Sequence, residues 1–190
     1  MSGDRVITPD TKLRFDQALL PDGWSRNVTV TVRDGRIANI AVGSQAETSN
    51  ERHAIGIPGM NNVHSHVFQR AMAGMAERRA SADNFWGWRD QVYRIAARTD
   101  PDSLRAVAAL AQIEMLECGF TRVGEFHYLH HDRNGRPYSD LANMSRALFD
   151  AAAESGIALT HLPVFYAHSD FGGAPPEFGQ RRFVCDLDTY

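Results

Sequence analysis

The residues of this chain best suited to chemistry are two histidines one position apart, His64 and His66 in the run His64-Ser65-His66. On an extended backbone, residues i and i+2 point to the same face, about 7 Å apart along the chain. Imidazoles in that relation can converge on one metal ion, each ring nitrogen about 2.0–2.1 Å from it. The bare motif is weak, because the chain's eight histidines produce about 0.3 such pairs by chance. Two ligands are also fewer than a catalytic zinc site normally uses, which is three protein groups and a water. At least one further ligand must therefore come from elsewhere in the protein.

Other candidates are more evenly balanced between chemistry and structure. Glu125 fits a catalytic carboxylate, or equally a buried structural glutamate paired with Arg122 or a helix terminus. His127, His130 and His131 form a second cluster, for which a polar loop with satisfied histidines is the preferred reading. His161 and His168 read as a core and a loop histidine. The run Phe85-Trp86-Gly87-Trp88-Arg89 could build an aromatic pocket with one cation, and arginine grips carboxylates with two parallel hydrogen bonds. The commoner alternative is a core-facing helix start with a surface arginine. Cys118 sits at a helix end without an adjacent base and is expected to be a small buried residue. The chain contains no G-x-G-x-x-G, P-loop, G-x-S-x-G or C-x-x-C motif.

These residues need elements to hold them. Val28, Val30 and Val32 alternate with Thr29 and Thr31, the period-two pattern of a half-buried strand. Asp34-Gly35 then offers a hairpin turn, Ile37 and Ile40 lie in the return segment, and Lys12–Leu20 is a further strand candidate. Gly43–Arg52 reads as a polar loop, and residues 1–57 as part of a small β domain. From residue 58 strand and helix alternate. Strands are expected at Asn61–Val67, Thr121–His127 and Ile157–Tyr166. Helices are expected at Phe85–Arg98, from Asp100-Pro101 to Gly119, and at Leu141–Glu154 up to Gly156. That alternation implies a parallel sheet with right-handed crossovers. It places His64 and His66 at the carboxyl end of the first parallel strand, where α/β barrels carry their active sites. Three such strands leave a sheet edge open, so the sequence reads as the front of something longer.

Composition excludes several classes. With 43% apolar and 23% charged residues, the chain is neither disordered nor rod-like. A net charge of -3 gives no basic surplus for a nucleic-acid partner. No apolar run approaches the roughly 20 residues of a membrane span, and the segment Met1–Asp10 has no secretory apolar stretch. Cys118 and Cys185 are the sole cysteines, too few for a disulfide framework, so a cytoplasmic location is expected.

The segment Pro58-Gly59-Met60-Asn61-Asn62-Val63-His64-Ser65-His66 resembles the P-G-x-x-N-x-H-x-H opening of the amidohydrolase superfamily. Its continuation through Val67-Phe68-Gln69-Arg70-Ala71-Met72-Ala73-Gly74 is similar to the formimidoylglutamate deiminase family. The likeness extends to Leu20–Trp24, Phe85–Arg89, Glu125–Asp132 and Phe171–Gly173, nearly the whole chain. The resemblance implies an α/β fold, the N-terminal part of a distorted (β/α)8 barrel (58–190) preceded by part of a small β-sandwich (1–57). It implies one divalent metal, normally zinc, with His64 and His66 as the first ligands, and Gln69, Arg89 and Tyr128 as substrate contacts. The other ligands and the catalytic acid/base are expected beyond Tyr190, so this chain alone is expected to be inactive. The implied reaction is hydrolysis of a small molecule, N-formimidoyl-L-glutamate, to N-formyl-L-glutamate and ammonia, by a protein that is homodimeric at full length. Phe68–Met72 and Arg89 suit an acyclic dicarboxylate better than a flat base. The alternatives are a guanine or S-adenosylhomocysteine-type deaminase, or a truncated, non-catalytic scaffold.

Overall fold

The first unit, Met1–Pro58, holds a four-stranded sheet, with alternating apolar residues clearest at Val28, Val30 and Val32. The computed structural model describes residues 10–43, 51–75 and 85–190, with Phe85 and Trp86 described by backbone alone. The expected polar start at 1–9, and 44–50 of the expected loop, lie outside the described residues. Strands β1 (Thr11–Leu20), β2 (Gly23–Arg33), β3 (Arg36–Val42) and β4 (Glu51–Gly56) lie in the order β3-β2-β1-β4. The β2–β3 turn takes the form its sequence requires: Asp34 (φ 51°) and Gly35 (φ 71°) are both left-handed, which twists the hairpin with its strands. Val28 and Ala18 are buried in this sheet. Glu51 and Arg52, expected at a loop's end, instead open β4, which runs parallel to β1 in register Phe15↔His53. The polar composition of β4 hid it. It survives as a strand because it is an edge, paired on one side, with His53 stacked on Phe15 at 5.5 Å.

The second unit, Gly59–Tyr190, is a three-stranded parallel sheet with helical crossovers. Its elements are β5 (Met60–Ser65), a 3-10 helix (Val67–Met72), α1 (Phe85–Arg98), α2 (Pro101–Glu117), β6 (Phe120–His127), α3 (Asn143–Ser155) and β7 (Ala158–Pro163). The sheet order is β5-β6-β7. Both neighbours of β6 are parallel to it, with Ser65↔Glu125 and Glu125↔His161 in register. The carboxyl ends of all three strands therefore lie together.

Local chemistry explains the boundaries. Asp100 caps α2 by accepting from the Ser103 amide, Ser103 caps back, and Pro101 fills the first turn. Gly156 (φ 82°) ends α3 in the left-handed conformation. β5 stops at Ser65 rather than at Val67, since Val67 starts the 3-10 helix. β7 stops at Pro163 rather than at Tyr166, which keeps one isolated bridge to Val184. The core joins Leu104, Ala108 and Ala111 of α2 to Met144, Ala147, Leu148 and Ala151 of α3. Small residues on both faces let these helices pack closely. Val67, Phe68 and Met72 enter the same core, so the turn after the histidine pair is anchored apolarly.

Arg182 is the polar hub of this unit. It is 1% exposed and donates to the carbonyls of His131 (2.8 Å), Thr99 (2.6 Å) and Ala96. It thereby satisfies carbonyls that the end of α1 leaves open. Cys118 is exposed, contrary to the expectation, because it forms the C-cap of α2 rather than part of the packed face. Among the described residues no helix is long and apolar enough to cross a membrane.

Candidate metal and substrate site

The histidine pair stands at the carboxyl end of β5. The Asn62 side-chain oxygen accepts the His64 amide at 3.2 Å. The His64 ring stacks on Phe126 of β6 at 4.7 Å and 27°. His66 hydrogen bonds through Nδ1 to the Phe126 carbonyl at 2.8 Å. A carbonyl can only accept, so the proton sits on Nδ1 and the lone pair of His66 is on Nε2. The Nε2 atoms of His64 and His66 are 3.1 Å apart. With the His66 Nε2 lone pair facing it, His64 Nε2 either donates its own proton to His66 or shares a metal ion with it.

The pair fits a metal. Two nitrogens each about 2.0–2.1 Å from an ion with a near-tetrahedral angle lie roughly 3.2–3.4 Å apart, close to what is found. The Phe126 carbonyl is the kind of outer partner that fixes a ligating imidazole's tautomer and orientation. Among the described residues no group of three or more histidine, cysteine or acidic side chains gathers as a metal cluster. Two ring nitrogens are fewer than the three protein groups that a catalytic zinc site normally uses.

Gln69 and Tyr128 meet beside the pair. Gln69 donates through Nε2 to the Tyr128 hydroxyl at 2.8 Å, and the Tyr128 ring lies edge-on to His66 at 5.0 Å. Burial pushes the Tyr128 phenol up to about 12, so it remains a hydrogen donor through any ordinary pH. With Gln69 occupying its oxygen as acceptor, its proton is available to another partner. Tyr128 also lines a cavity of about 340 Å³, whose wall includes Arg89, Tyr93, Tyr166, Asp170 and Gln180. Arg89, on α1, lies over the Tyr93 ring at 5.5 Å and faces Glu177 at 3.5 Å. Trp88 lines the cavity too, while the side chains of Phe85 and Trp86 lie outside the described residues. The structure thus brings His64, His66, Gln69 and Tyr128 into contact, and Arg89 joins them across the cavity through Tyr128.

Tyr93, Tyr166 and Gln180 were not anticipated as cavity residues. Gln180 is buried, donates to the Tyr166 hydroxyl at 2.8 Å and accepts the Glu177 amide at 2.8 Å. Its capping-box bond to Glu177 is local, three residues away, but the contact with Tyr166 that places it in the cavity spans 14 residues and no local pattern marks it.

In the second histidine cluster His130 and His131 are satisfied loop histidines, as expected, and His127, at the end of β6, is the exception. His130 and His131 donate through Nε2 to the Val164 carbonyl (2.9 Å) and the Val184 carbonyl (2.6 Å). His127 is buried, 5.4 Å from the His161 ring, and its Nε2 has no hydrogen-bond partner among the described residues. Burial holds its imidazole well below the usual histidine range, with the neighbouring His130 and His161 acting the same way. His161 bonds to the Ser145 hydroxyl at 3.0 Å, and His168 is an exposed loop residue. Glu125 takes the helix-terminus role: it accepts the Val67 amide, the first of the 3-10 helix, at 2.7 Å. Arg122 turns instead to Thr160 at 3.4 Å. Burial pushes the Glu125 carboxyl up to about 7, against the opposing hydrogen bonds from Ser65 and Val67.

Parallel strands with their carboxyl ends gathered round an H-x-H pair define the N-terminal part of an amidohydrolase-type (β/α)8 barrel, preceded by a small β-rich segment. Within that class the chain is similar to the N-terminal portion of the formimidoylglutamate deiminases. The family model for the N-terminal domain of formimidoylglutamate deiminase HutF matches residues 15–54. A formimidoylglutamate deiminase of Pseudomonas aeruginosa is 46% identical over 177 residues, 92% of this chain and 39% of that protein. The crystal structure of an amidohydrolase from Brucella melitensis superposes with a TM-score of 0.90 at 50% identity, covering 94% of this chain and 40% of the other. An atrazine chlorohydrolase from Arthrobacter aurescens, crystallised with zinc, shares the fold alone: TM-score 0.63 at 18% identity, over 87% of this chain and 40% of that one. The chain thus spans about two fifths of the length of these relatives.

Proposed function

We propose that the protein acts in the hydrolysis of N-formimidoyl-L-glutamate to N-formyl-L-glutamate and ammonia, with His64 and His66 as two ligands of one divalent metal, zinc. The observation that carries the reading is the 3.1 Å approach of the two Nε2 atoms, beside a cavity whose wall holds Arg89. The 46% identity to a deiminase over most of the chain supports the substrate. We read residues 1–57 as a contribution to a small β-sandwich and 58–190 as the opening of the barrel.

A metal bound there supplies Lewis acidity, which lowers the pKa of water towards about 7. The chain's residues do the rest of what is visible here. The Phe126 carbonyl keeps the His66 proton on Nδ1, so Nε2 remains a donor of its lone pair. Arg89 takes one substrate carboxylate, and Tyr128, fixed by Gln69, donates its proton to the same group. The glutamate portion undergoes no chemistry, so these contacts serve to place the formimidoyl carbon. In the balance of the reaction water's oxygen becomes the formyl oxygen and the imino nitrogen leaves as ammonia, protonated by a general acid that is not among the residues named here. Both cysteines are free thiols, Cys118 exposed, which suits a reducing cytoplasm.

The test is an ammonia-release assay on the full-length protein with N-formimidoyl-L-glutamate, guanine, adenosine and S-adenosylhomocysteine. Faster turnover of a base or nucleoside would replace the substrate assignment and leave the metal pair standing.

A further inference from the structure

We propose that Glu125 is a positioning residue for the metal-ligating pair: its carboxylate holds the two residues that flank His66 and so fixes where that imidazole stands. The inference rests on the reading of His64 and His66 as metal ligands.

His66 occupies an irregular joint. It lies between the last residue of β5 and the first of the 3-10 helix, with φ -128° and ψ 75°, and no side chain of its own segment caps the helix. Its carbonyl accepts the Gln69 amide at 2.9 Å within the 3-10 turn, but no local side chain holds the residues on either side of the imidazole. The neighbouring strand does so twice. Glu125 Oε1 accepts the buried Val67 amide at 2.7 Å, and the Ser65 side chain hydrogen bonds to the same carboxylate. The next residue of β6, Phe126, accepts from His66 Nδ1 at 2.8 Å. Three successive residues, 65 to 67, are thus gripped by two successive residues, 125 and 126. One grip sets the backbone on either side of the imidazole, and the other sets its rotation and tautomer.

The chemistry of Glu125 fits this role better than that of a packing residue. It is 3% exposed and its two donors are neutral, so its burial is costly, and an apolar side chain would fill the space without that cost. A carboxylate is suited to the place because it alone among side chains of this size has two oxygens that both accept. Outer partners of this kind typically change metal affinity by about 10- to 100-fold when removed.

The test measures zinc affinity in the full-length protein, by competition with a chromophoric chelator, together with the melting temperature of the metal-stripped protein. Glu125→Ala should weaken zinc about 100-fold. Glu125→Gln, which keeps one acceptor and turns an NH₂ towards the other donor, should weaken it about tenfold. The Co²⁺-substituted Gln variant should show a shifted visible spectrum, which a purely structural role would not produce. If both variants lower the apo melting temperature while holding zinc within threefold of wild type, the proposal is overturned. Should Glu125→Ala fail to fold, the Gln variant decides by the same threefold threshold. His66→Ala is the control. If it also binds zinc normally, the metal reading of the pair has failed, and the positioning role falls with it. Normal binding by the Glu125 variants beside a defective His66→Ala overturns the positioning role alone.

Discussion

Replacing Arg89 with methionine and, separately, Glu177 with glutamine should move substrate binding in opposite directions. Arg89 faces Glu177 at 3.5 Å, with the two side chains 27% and 54% exposed. An ion pair that wet is worth about 0.2–1 kcal/mol. A substrate carboxylate reaching Arg89 must displace Glu177, so Glu177→Gln should lower KM about 1.5- to 5-fold, and the gain should shrink as salt rises. Arg89→Met removes a charge-assisted clamp worth about 1.5–3 kcal/mol, so kcat/KM should fall about 10- to 150-fold. Methionine keeps apolar bulk over Tyr93, so the loss reports charge rather than packing. In the Arg89→Met background Glu177→Gln should do nothing, because its effect runs through Arg89. The assay is steady-state ammonia release from N-formimidoyl-L-glutamate at two ionic strengths. Unchanged kcat/KM in Arg89→Met, or a raised KM in Glu177→Gln, would refute the clamp.

Two further predictions concern stability. Arg182→Met should cost about 3–5 kcal/mol in denaturant unfolding, since it strands the carbonyls of Ala96, Thr99 and His131 in the interior; a loss below about 1 kcal/mol would show that water takes over those carbonyls. Burial holds His127 neutral with a lowered pKa, so the unfolded chain takes up a proton near pH 6.5 that the folded one refuses, and this contribution to stability is present above that pH and lost below it. Glu125, raised to about 7, works in the other sense, binding its proton more tightly in the folded state between about pH 4.5 and 7. His127→Gln should therefore make the fall of unfolding free energy between pH 6.5 and 5 less steep, by up to about 1.4 kcal/mol per pH unit, and an unaltered pH profile would contradict the assignment.

The parts of the fold that sequence reveals are those with local causes. Asp100-Pro101 caps α2, Asp34-Gly35 turns the hairpin, and Val28, Val30 and Val32 alternate, each within a few residues. β4 escaped because an edge strand needs no apolar pattern, and its pairing to β1 joins residues nearly forty positions apart. The site shows the same division. His64 and His66 are visible as a pair because a strand's period of two puts them together. The grip of Glu125 and Phe126 on them spans about sixty residues, and only the register Ser65↔Glu125 brings it about. The role of Arg182 was invisible for the same reason: its three carbonyl partners are 51 to 86 residues away.

The most direct test of the account is the metal content of the full-length protein and of its His64→Ala and His66→Ala variants, purified without chelators and measured by elemental analysis. About one zinc per wild-type chain is expected, less than about a fifth of that in each variant, and loss of ammonia release in both, because removing either ligand of a site with three or four protein groups leaves it incomplete. Full zinc occupancy in both folded variants would contradict it, showing that the 3.1 Å pair is not where the metal sits.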